Sequence, residues 1–353
     1  MRREKSEIHS TWERVRDGLA SAEPCFVREQ VVDATRAFFK ERGFHEVETP
    51  LFVRYPGMEP YLEVFQTEWR DTRGRCYPGF LTTSPEYAMK KLLAAGVGPL
   101  FQICKSFRNR EDVSSRHNPE FTILEWYRAN ADYLEIMRDC EELYRAIATA
   151  LGTESAGNTW TYRGKTIDLG TEWERLSVRE AFTRYAGVDL QRDLYQLVDV
   201  ARDKGYAMAP ENTWEQAYHQ IFLNEIEPRL GQTTPTFLYE YPIAMAALAR
   251  ASANDSTVAE RFELYVAGIE MANAFGELTD ADEQLRRLEA ERQERRLLGK
   301  TDYAIDTDFV HALARGIPPS AGIALGIDRT AMFFADVDSI REVLWFPADE
   351  LFQ

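Results

Sequence analysis

Cysteine is scarce in this 353-residue chain: Cys25, Cys76, Cys104 and Cys140 lie far apart, with no Cys-x-x-Cys pair. That spacing suggests neither a zinc site nor a disulfide framework, and ordinary cytoplasmic thiols are the expectation. Positive charge is also short. The 42 lysines and arginines stand against 58 aspartates and glutamates, a net charge of −16. Nucleic-acid affinity draws largely on phosphate neutralisation, so broad nonspecific binding is disfavoured, although a local basic patch would survive this balance. Long apolar runs are missing. The longest, Ile243 to Ala249, falls far short of the ~20 residues that span a bilayer. Met1-Arg2-Arg3-Glu4-Lys5 leads into no apolar stretch, so no secretory signal and no membrane partner are expected. No repeat, low-complexity tract or Gly/Ser-rich linker divides the chain.

What is present has the profile of a soluble globular protein, with 44% hydrophobic and 28% charged residues. At roughly 150 residues per domain the length allows a little over two domains or one large one. Residues 152–235 have no linker composition on either side and read as a helical elaboration of a single domain. Val27, Val31 and Phe38 share a stripe, predicting a helix over about Val27 to Arg42 with Gly43 as its stop. Phe44 to Thr49 reads as a strand ended by Pro50. Ser84-Pro85-Glu86 opens a helix to about Ala95, with a hydroxyl cap, a proline in the first turn and an acid at the positive end of the dipole.

Leu100 to Arg108 and Glu120 to Tyr127 alternate as strands around the polar loop 109–118. They predict an antiparallel hairpin whose second strand carries Phe121, Ile123, Glu125 and Tyr127 on one face. Asp132 with Glu135 and Ser177 with Glu180 read as capping boxes, the first opening a helix to Leu151. Thr213 to Glu227 reads as a helix, Val258 to Asn273 as strands broken near Gly268, and Glu283 to Leu298 as a charged surface helix. Gly322 to Gly326 is a strand feeding a helix from about Asp328. Strands interspersed with helices, without regular βαβ units, predict an α+β fold around a mostly antiparallel sheet.

Three constellations carry chemistry. The hairpin Arg108-Asn109-Arg110-Glu111 … Arg116-His117-Asn118-Pro119-Glu120-Phe121 offers planar guanidinium forks to phosphate oxygens and an aromatic face to a flat base. Glu263 and Glu270, seven residues apart, converge if their strands fold past Gly268, giving hard oxygen ligands for Mg2+. Glu277 after Gly276 reads either as part of that acidic group or as a partner for a substrate ammonium. Gly322-Ile323-Ala324-Leu325-Gly326-Ile327-Asp328-Arg329 lets a ligand approach bare backbone, with an arginine at a helix start that wants an anion. Each alone also reads as a solvated loop or an exposed strand face. Together they suggest a site for Mg-ATP plus an amine-bearing acid.

These segments resemble motifs 1, 2 and 3 of class II aminoacyl-tRNA synthetases, in that order, over about residues 26–350. The Val27–Arg42 helix with Pro50 would be motif 1, the hairpin motif 2 and Gly326-Ile327-Asp328-Arg329 motif 3. Arg116-His117-Asn118-Pro119-Glu120-Phe121-Thr122 and Asn273-Ala274-Phe275-Gly276-Glu277-Leu278 are similar to the lysyl enzymes. The 25 residues before motif 1 leave no room for an anticodon-reading barrel. In that respect the chain resembles the elongation factor P–lysine ligase group, as it does in Thr83-Ser84-Pro85-Glu86-Tyr87, Glu125-Trp126-Tyr127 and Ala324. It departs from the lysyl pattern in an extra residue at Arg108-Asn109-Arg110-Glu111, where Arg110 or Glu111 takes the usual glutamate's place, and in Ala88 where a bulkier side chain is usual.

The resemblance implies a class II catalytic fold, a homodimer, ATP and Mg2+, lysine or (R)-β-lysine as the activated acid, and elongation factor P rather than tRNA as acceptor. It implies that Arg108 clamps the α-phosphate and substrate carboxylate and that Arg329 holds the γ-phosphate. Asn109, Arg110, Glu111, His117, Asn118, Phe121, Met271 and Gly326 would line the nucleotide, and Glu263 and Glu270 would hold Mg2+. Ser84, Pro85, Glu86, Tyr127, Asn273, Glu277 and Ala324 would surround the amino acid. The alternatives are a truncated synthetase that charges tRNA or another acceptor, and a paralogue without catalysis.

Overall fold

The computed structural model describes residues 10–152, 158–209 and 211–352. The Met1–Lys5 segment and part of the 152–235 stretch lie outside them. Eight strands form the main sheet: β1 (His45–Glu46), β2 (Leu100–Phe107), β3 (Glu120–Ala129), β4 (Glu174–Ser177), β5 (Thr236–Pro242), β6 (Val258–Val266), β7 (Ile269–Gly276) and β8 (Ser320–Gly326). Their spatial order is β1-β2-β3-β8-β7-β6-β5-β4. Only the outermost pairs, β1 with β2 and β4 with β5, are parallel. The expected α+β fold on a mostly antiparallel sheet is what the chain adopts.

Six helices matter for the site: α1 (Glu23–Glu41), α2 (Glu86–Ala94), α3 (Tyr133–Ala150), α4 (Trp214–Ile221), α5 (Ala281–Leu297) and α6 (Ile327–Phe334). On α1, Val31, Thr35, Phe38 and Phe39 fall three and four apart and are buried, the stripe an amphipathic helix turns inward. Asp132 caps α3 through the Leu134 and Glu135 amides, and Glu135 reaches back to the Asp132 amide, as the capping box predicts. α1, α3 and α6 cover one face of the sheet, where Phe39, Tyr144 and Phe333 pack with Phe101, Trp126 and Leu325. Side chains alternate along strands, so Glu125, Tyr127, Asn273 and Ala324 emerge on the opposite face. That face is a cleft floor. α2 and α5 wall one end around Tyr87, Met89 and Leu288. A separate core of Leu176, Phe182, Tyr218, Ile221 and Phe222 walls the other.

Several boundaries differ from expectation for physical reasons. The strand predicted over Phe44–Thr49 shrinks to His45–Glu46, because the chain peels off toward Pro50 and Phe52–Val53, which joins a separate three-stranded sheet. The hairpin strands stop at Phe107 and restart at Glu120, leaving Arg108 in the loop. The helix predicted through Glu227 loosens after Ile221 into a wider turn and then a tight one at Glu227–Arg229, where Pro228 has no amide to donate. The 152–235 stretch is not purely helical, since it contributes β4 and a small hairpin, Thr159–Tyr162 with Lys165–Asp168. The charged helix over 283–298 begins at Ala281 under an Asp280 cap and buries Gln284, Leu288 and Arg295 rather than lying on the surface.

Candidate active site

Motif by motif, the helices tie the hairpin to the last strand. Arg28 on α1 donates to Asp328 at 2.8 Å and to the Thr122 hydroxyl at 2.7 Å, and Asp328 also accepts the Thr122 amide. Asp328 is therefore a brace, which frees Arg329 beside it to face the cleft. Arg329 donates to the Glu270 carbonyl at 2.8 Å and meets His117 Nε2 at 3.0 Å. His117 Nδ1 in turn meets the Ser114 hydroxyl. Burial, with Arg329 alongside, holds the His117 imidazole below its ordinary pKa, so its Nε2 is an acceptor at neutral pH. Arg108 lies 5.1 Å above the Phe121 ring, and its buried Nε has no hydrogen-bond partner. A buried guanidinium nitrogen without an acceptor suits an arriving carboxylate or phosphate. Glu111 stands 3.7 Å from Arg108, whereas Arg110 is exposed with φ +56°. Of the two candidates, Glu111 is the one that meets Arg108.

The two proposed metal acids meet because of a β-bulge. Leu264 pairs with Ala272, but the next residue, Tyr265, pairs with Glu270, so Met271 is surplus. Strict alternation from Asn273 would send Glu270 into the core. The bulge instead buries Met271 there and turns Glu270 toward the cleft. Glu263 accepts from Arg261 at 2.8 Å and from the Tyr265 hydroxyl at 2.6 Å. Lost hydration, with Glu263 nearby, holds Glu270 above the usual carboxylate range. Two carboxylates in mutual repulsion fit Mg2+, which takes one or two carboxylates and completes its shell with other oxygens. Among the described residues no group of three or more His, Cys, Asp or Glu forms a protein-only metal cage.

At the α2 end of the cleft floor three carboxylates and a lysine form a cluster. Glu125 and Glu277 are 1% and 2% exposed. The Ser84 hydroxyl donates to Glu125 at 2.5 Å and the Tyr127 hydroxyl donates to it at 2.9 Å. Ser84 also accepts the Glu86 amide at 3.0 Å, which fixes the start of α2. Burial, then the neighbouring Glu86, pushes Glu125 up to about 8. Burial pushes Glu277 up to about 7 against the pull of Lys90. Lys90 Nζ sits 2.5 Å from Glu86 and 2.6 Å from Glu277. Burial works against the charge on Lys90, but Glu277 and Glu86 more than offset it and hold its pKa above the ordinary value. One glycine makes room for the cluster: a Cβ on Gly322 would stand 2.2 Å from the Tyr127 ring and 2.7 Å from Glu277.

Residues 20–350 match the family model described as tRNA synthetases class II (D, K and N). The chain belongs to the class II tRNA synthetase family. Within it the chain is 40% identical to the elongation factor P–(R)-β-lysine ligase of Mannheimia succiniciproducens, over 91% of this chain and 94% of that protein. It is 39% identical to the protein of that name from Sodalis glossinidius, with the same coverage. The ligase of Actinobacillus succinogenes is 38% identical over 93% of this chain and 95% of its own length.

In this class II chain, not every residue expected at the site reaches it. Asn118 is buried, donating to the Glu120 carbonyl and accepting the Ala348 amide, so its side chain is spent on holding the loop. Asn109 is spent likewise on the Val64 carbonyl and the Arg110 amide. Met271 packs in the core, so its side chain does not reach the cleft. Asn273 reaches the floor but gives its oxygen to Arg261, leaving its amide hydrogens. Sequence reasoning missed Lys90 and Glu125 as members of the cluster. Glu125 was legible, since it alternates with Phe121 and Tyr127. Lys90 gave no signal beyond being one turn after Glu86.

Proposed function

We propose that this chain is an ATP-dependent, AMP-forming ligase that activates (R)-β-lysine or lysine as an aminoacyl-adenylate and passes it to a lysine side chain of elongation factor P. The observation that carries this reading is the charge count of the amine end. Glu86, Glu125 and Glu277 supply three negative charges when ionised, and Lys90 supplies one positive charge. The balance of two matches a substrate with two ammonium groups, its carboxylate facing Arg108. Phe121 and Glu125 lie on one face of β3, four residues or roughly 13 Å apart, so the nucleotide and amine ends share one strand. The names of the relatives agree with this acid and this acceptor.

The chemistry asks the protein for position and charge rather than a nucleophile. A substrate carboxylate oxygen attacks the α-phosphorus, the bond to the pyrophosphate oxygen breaks, and the electron pair leaves with pyrophosphate. The acceptor amine then attacks the acyl carbon, the bond to AMP breaks, and the amine gives up a proton as the amide forms. Arg108 stabilises charge on the α-phosphate, Phe121 stacks the base and Arg329 holds the terminal phosphate. Glu263 and Glu270 would hold Mg2+, which would supply positive charge to the phosphates. Ala324 stands half-buried on the cleft floor between Glu125 and Asn273. Its methyl there is the group proposed to favour the β-isomer, by ~1–3 kcal/mol. The proposal includes a homodimer in the cytoplasm.

Pyrophosphate exchange with each lysine isomer, followed by transfer to elongation factor P or to bulk tRNA, tests the reading. Exchange with (R)-β-lysine and a matching mass increase on elongation factor P are expected. Charging of tRNA in its place would overturn the acceptor, and no exchange with either isomer would overturn the activity.

A further inference from the structure

A strap, residues 57–63, lies in front of the cleft and is pinned along its length. The Tyr303 hydroxyl donates to the Gly57 carbonyl at 2.7 Å, and the Met58 amide donates to the Tyr87 hydroxyl at 3.1 Å. Arg295 holds the Glu59 and Leu62 carbonyls, and the Asn109 amide donates to the Glu63 carbonyl at 2.9 Å. Pro60 restricts the residue before it to extended backbone. Glu59 is therefore held at both ends, but its side chain is not. Among the described residues its carboxylate has no hydrogen bond and no ion pair.

That carboxylate stands among the groups of the site. Its Oε1 lies 3.9 Å from where a Cβ on Gly57 would stand, and the Thr83 hydroxyl, just before α2, lies 3.5 Å from the same point. Burial between these walls pushes the Glu59 carboxyl up, and the charges that act on it are Arg108, Glu86, Arg295 and Arg261. Tyr87 and Tyr303 stand within reach of its charge. Burial, then Glu59, pushes Glu291 up to about 8. The hairpin loop, β6, α2 and α5 thus surround Glu59, with Arg108 on one side and Glu86 on the other. Even so, Glu59 is exposed, whereas Glu125 and Glu277 are 1% and 2% exposed. A side chain of another protein can reach Glu59 and cannot reach the inner acids.

Charge and access together name the ligand. The inner cluster's balance of two is taken up by a diammonium acid. Glu291 keeps its proton at neutral pH, so Glu59 adds a single negative charge with no cation of its own. One unmatched carboxylate, open to solvent beside Arg108, fits one further ammonium. The acceptor lysine brings one, since its side chain has a pKa of ~10.4, and an ammonium has no lone pair with which to attack. We propose that Glu59 is the catalytic base of the transfer step, receiving the ammonium of the acceptor lysine and taking one proton from it. The inference rests on the adenylate-forming reading above. The freed lone pair attacks the acyl carbon, the bond from that carbon to the AMP oxygen breaks, and its electron pair leaves with AMP. The nitrogen sheds a second proton to water as the amide forms, and Glu59 returns its own to solvent. Arg108 and Arg261 disfavour a charged amine beside them, which eases the first proton transfer.

The test forms the adenylate on the full chain from ATP, MgCl2 and (R)-β-lysine, then adds elongation factor P or hydroxylamine and follows a single turnover. Hydroxylamine is already a neutral nucleophile at neutral pH and needs no base. Glu59→Gln keeps the shape of the side chain and has no partner to lose, so it should fold. It is expected to slow transfer to elongation factor P about a hundredfold or more. Pyrophosphate exchange and hydroxamate formation stay within about twofold of wild type. Raising the pH recovers part of the loss, because more of the acceptor amine is then neutral, and Glu59→Ala shows the same split. Unchanged transfer in both variants overturns the base. So does a KM for the amino acid that rises about tenfold in exchange, which would give Glu59 to the substrate's own ammonium. Failure of the underlying reading looks different. Wild-type protein that forms hydroxamate yet leaves elongation factor P unmodified overturns the acceptor and this role together, and wild-type protein that exchanges pyrophosphate with neither isomer overturns the activity itself.

Discussion

Between Glu86 and Glu277 the protein places an ammonium of its own. Removing it leaves two carboxylates facing each other with no cation, at a position 2% exposed. Lys90→Met is expected to cost about 3–5 kcal/mol of stability, as for breaking a buried pair from one side. Glu277, already pushed up to about 7, loses the group that holds it down and stays protonated at neutral pH. The KM for the amino acid should then rise at least about tenfold with the KM for ATP little changed, and Lys90→Arg should recover part of the loss. Thermal melts and exchange kinetics check both halves. A rise in the ATP KM alone would contradict this account. Gly322 and Gly326 make a second contrast. Gly322→Ala drives a methyl into Tyr127 and Glu277, which are themselves buried, and is expected to destabilise by ~1–3 kcal/mol and to abolish amino-acid activation. At Gly326 a Cβ meets nothing nearer than 3.8 Å, so Gly326→Ala should fold normally, and any loss of ATP affinity there would report the ligand itself.

At the scale of elements, α5 holds the loop in front of the amine end. Arg295, buried on a helix whose sequence is otherwise charged, donates to the Glu59 and Leu62 carbonyls at 2.5 Å and to the Thr301 carbonyl, and lies 3.5 Å from Glu63. Arg295→Met would leave three carbonyls without their donor and Glu63, which keeps the Val64 and Thr301 amides, without its cation. A loss of about 3–5 kcal/mol is expected, read as a lower denaturation midpoint, with greater protease sensitivity in residues 59–63. Unaltered stability would show that water replaces the guanidinium. The sequence reading placed α5 on the surface because six of its residues in a row, Glu291 to Arg296, carry charge or amide groups. Periodicity of apolar residues cannot register an arginine that is buried because backbone carbonyls converge on it. The hairpin, the caps of α2 and α3 and the strand break at Gly268 were legible, since each depends on residues within a few positions of one another.

For the whole molecule, carboxyls with raised pKa values make stability depend on pH in one direction. Burial holds Glu125 and Glu291 up at about 8 and Glu277 at about 7, against ~4.3 for a glutamate in an unfolded chain. Between those values the folded state holds protons that the unfolded chain has released, so stability falls as pH rises through the folded values. His117 and His219, held below their ordinary value by burial, act oppositely near pH ~6. The clean window is therefore about pH 7 to 8.5. Tm should drop across it at fixed ionic strength, and Glu125→Gln should flatten the slope; a Tm rising through that window would refute the assignment. Binding of a diammonium substrate should release protons over the same range and tighten toward pH ~8.

The residue order by itself determined the α+β class, the faces of β3 and β8, the capped helix starts and the three segments that converge on a nucleotide site, because each follows from local periodicity or from a short run of residue types. Only the tertiary structure decided which acids meet. The Met271 bulge swings Glu270 onto the cleft, the Glu240 bulge does the same for Tyr241, and α2 delivers Lys90, with Glu86 one turn before it, to Glu277, which lies far along the chain. One extra residue in a strand reverses the parity of everything beyond it. A buried charge is set by whatever distant strands bring beside it, and neither is written in any local stretch of sequence.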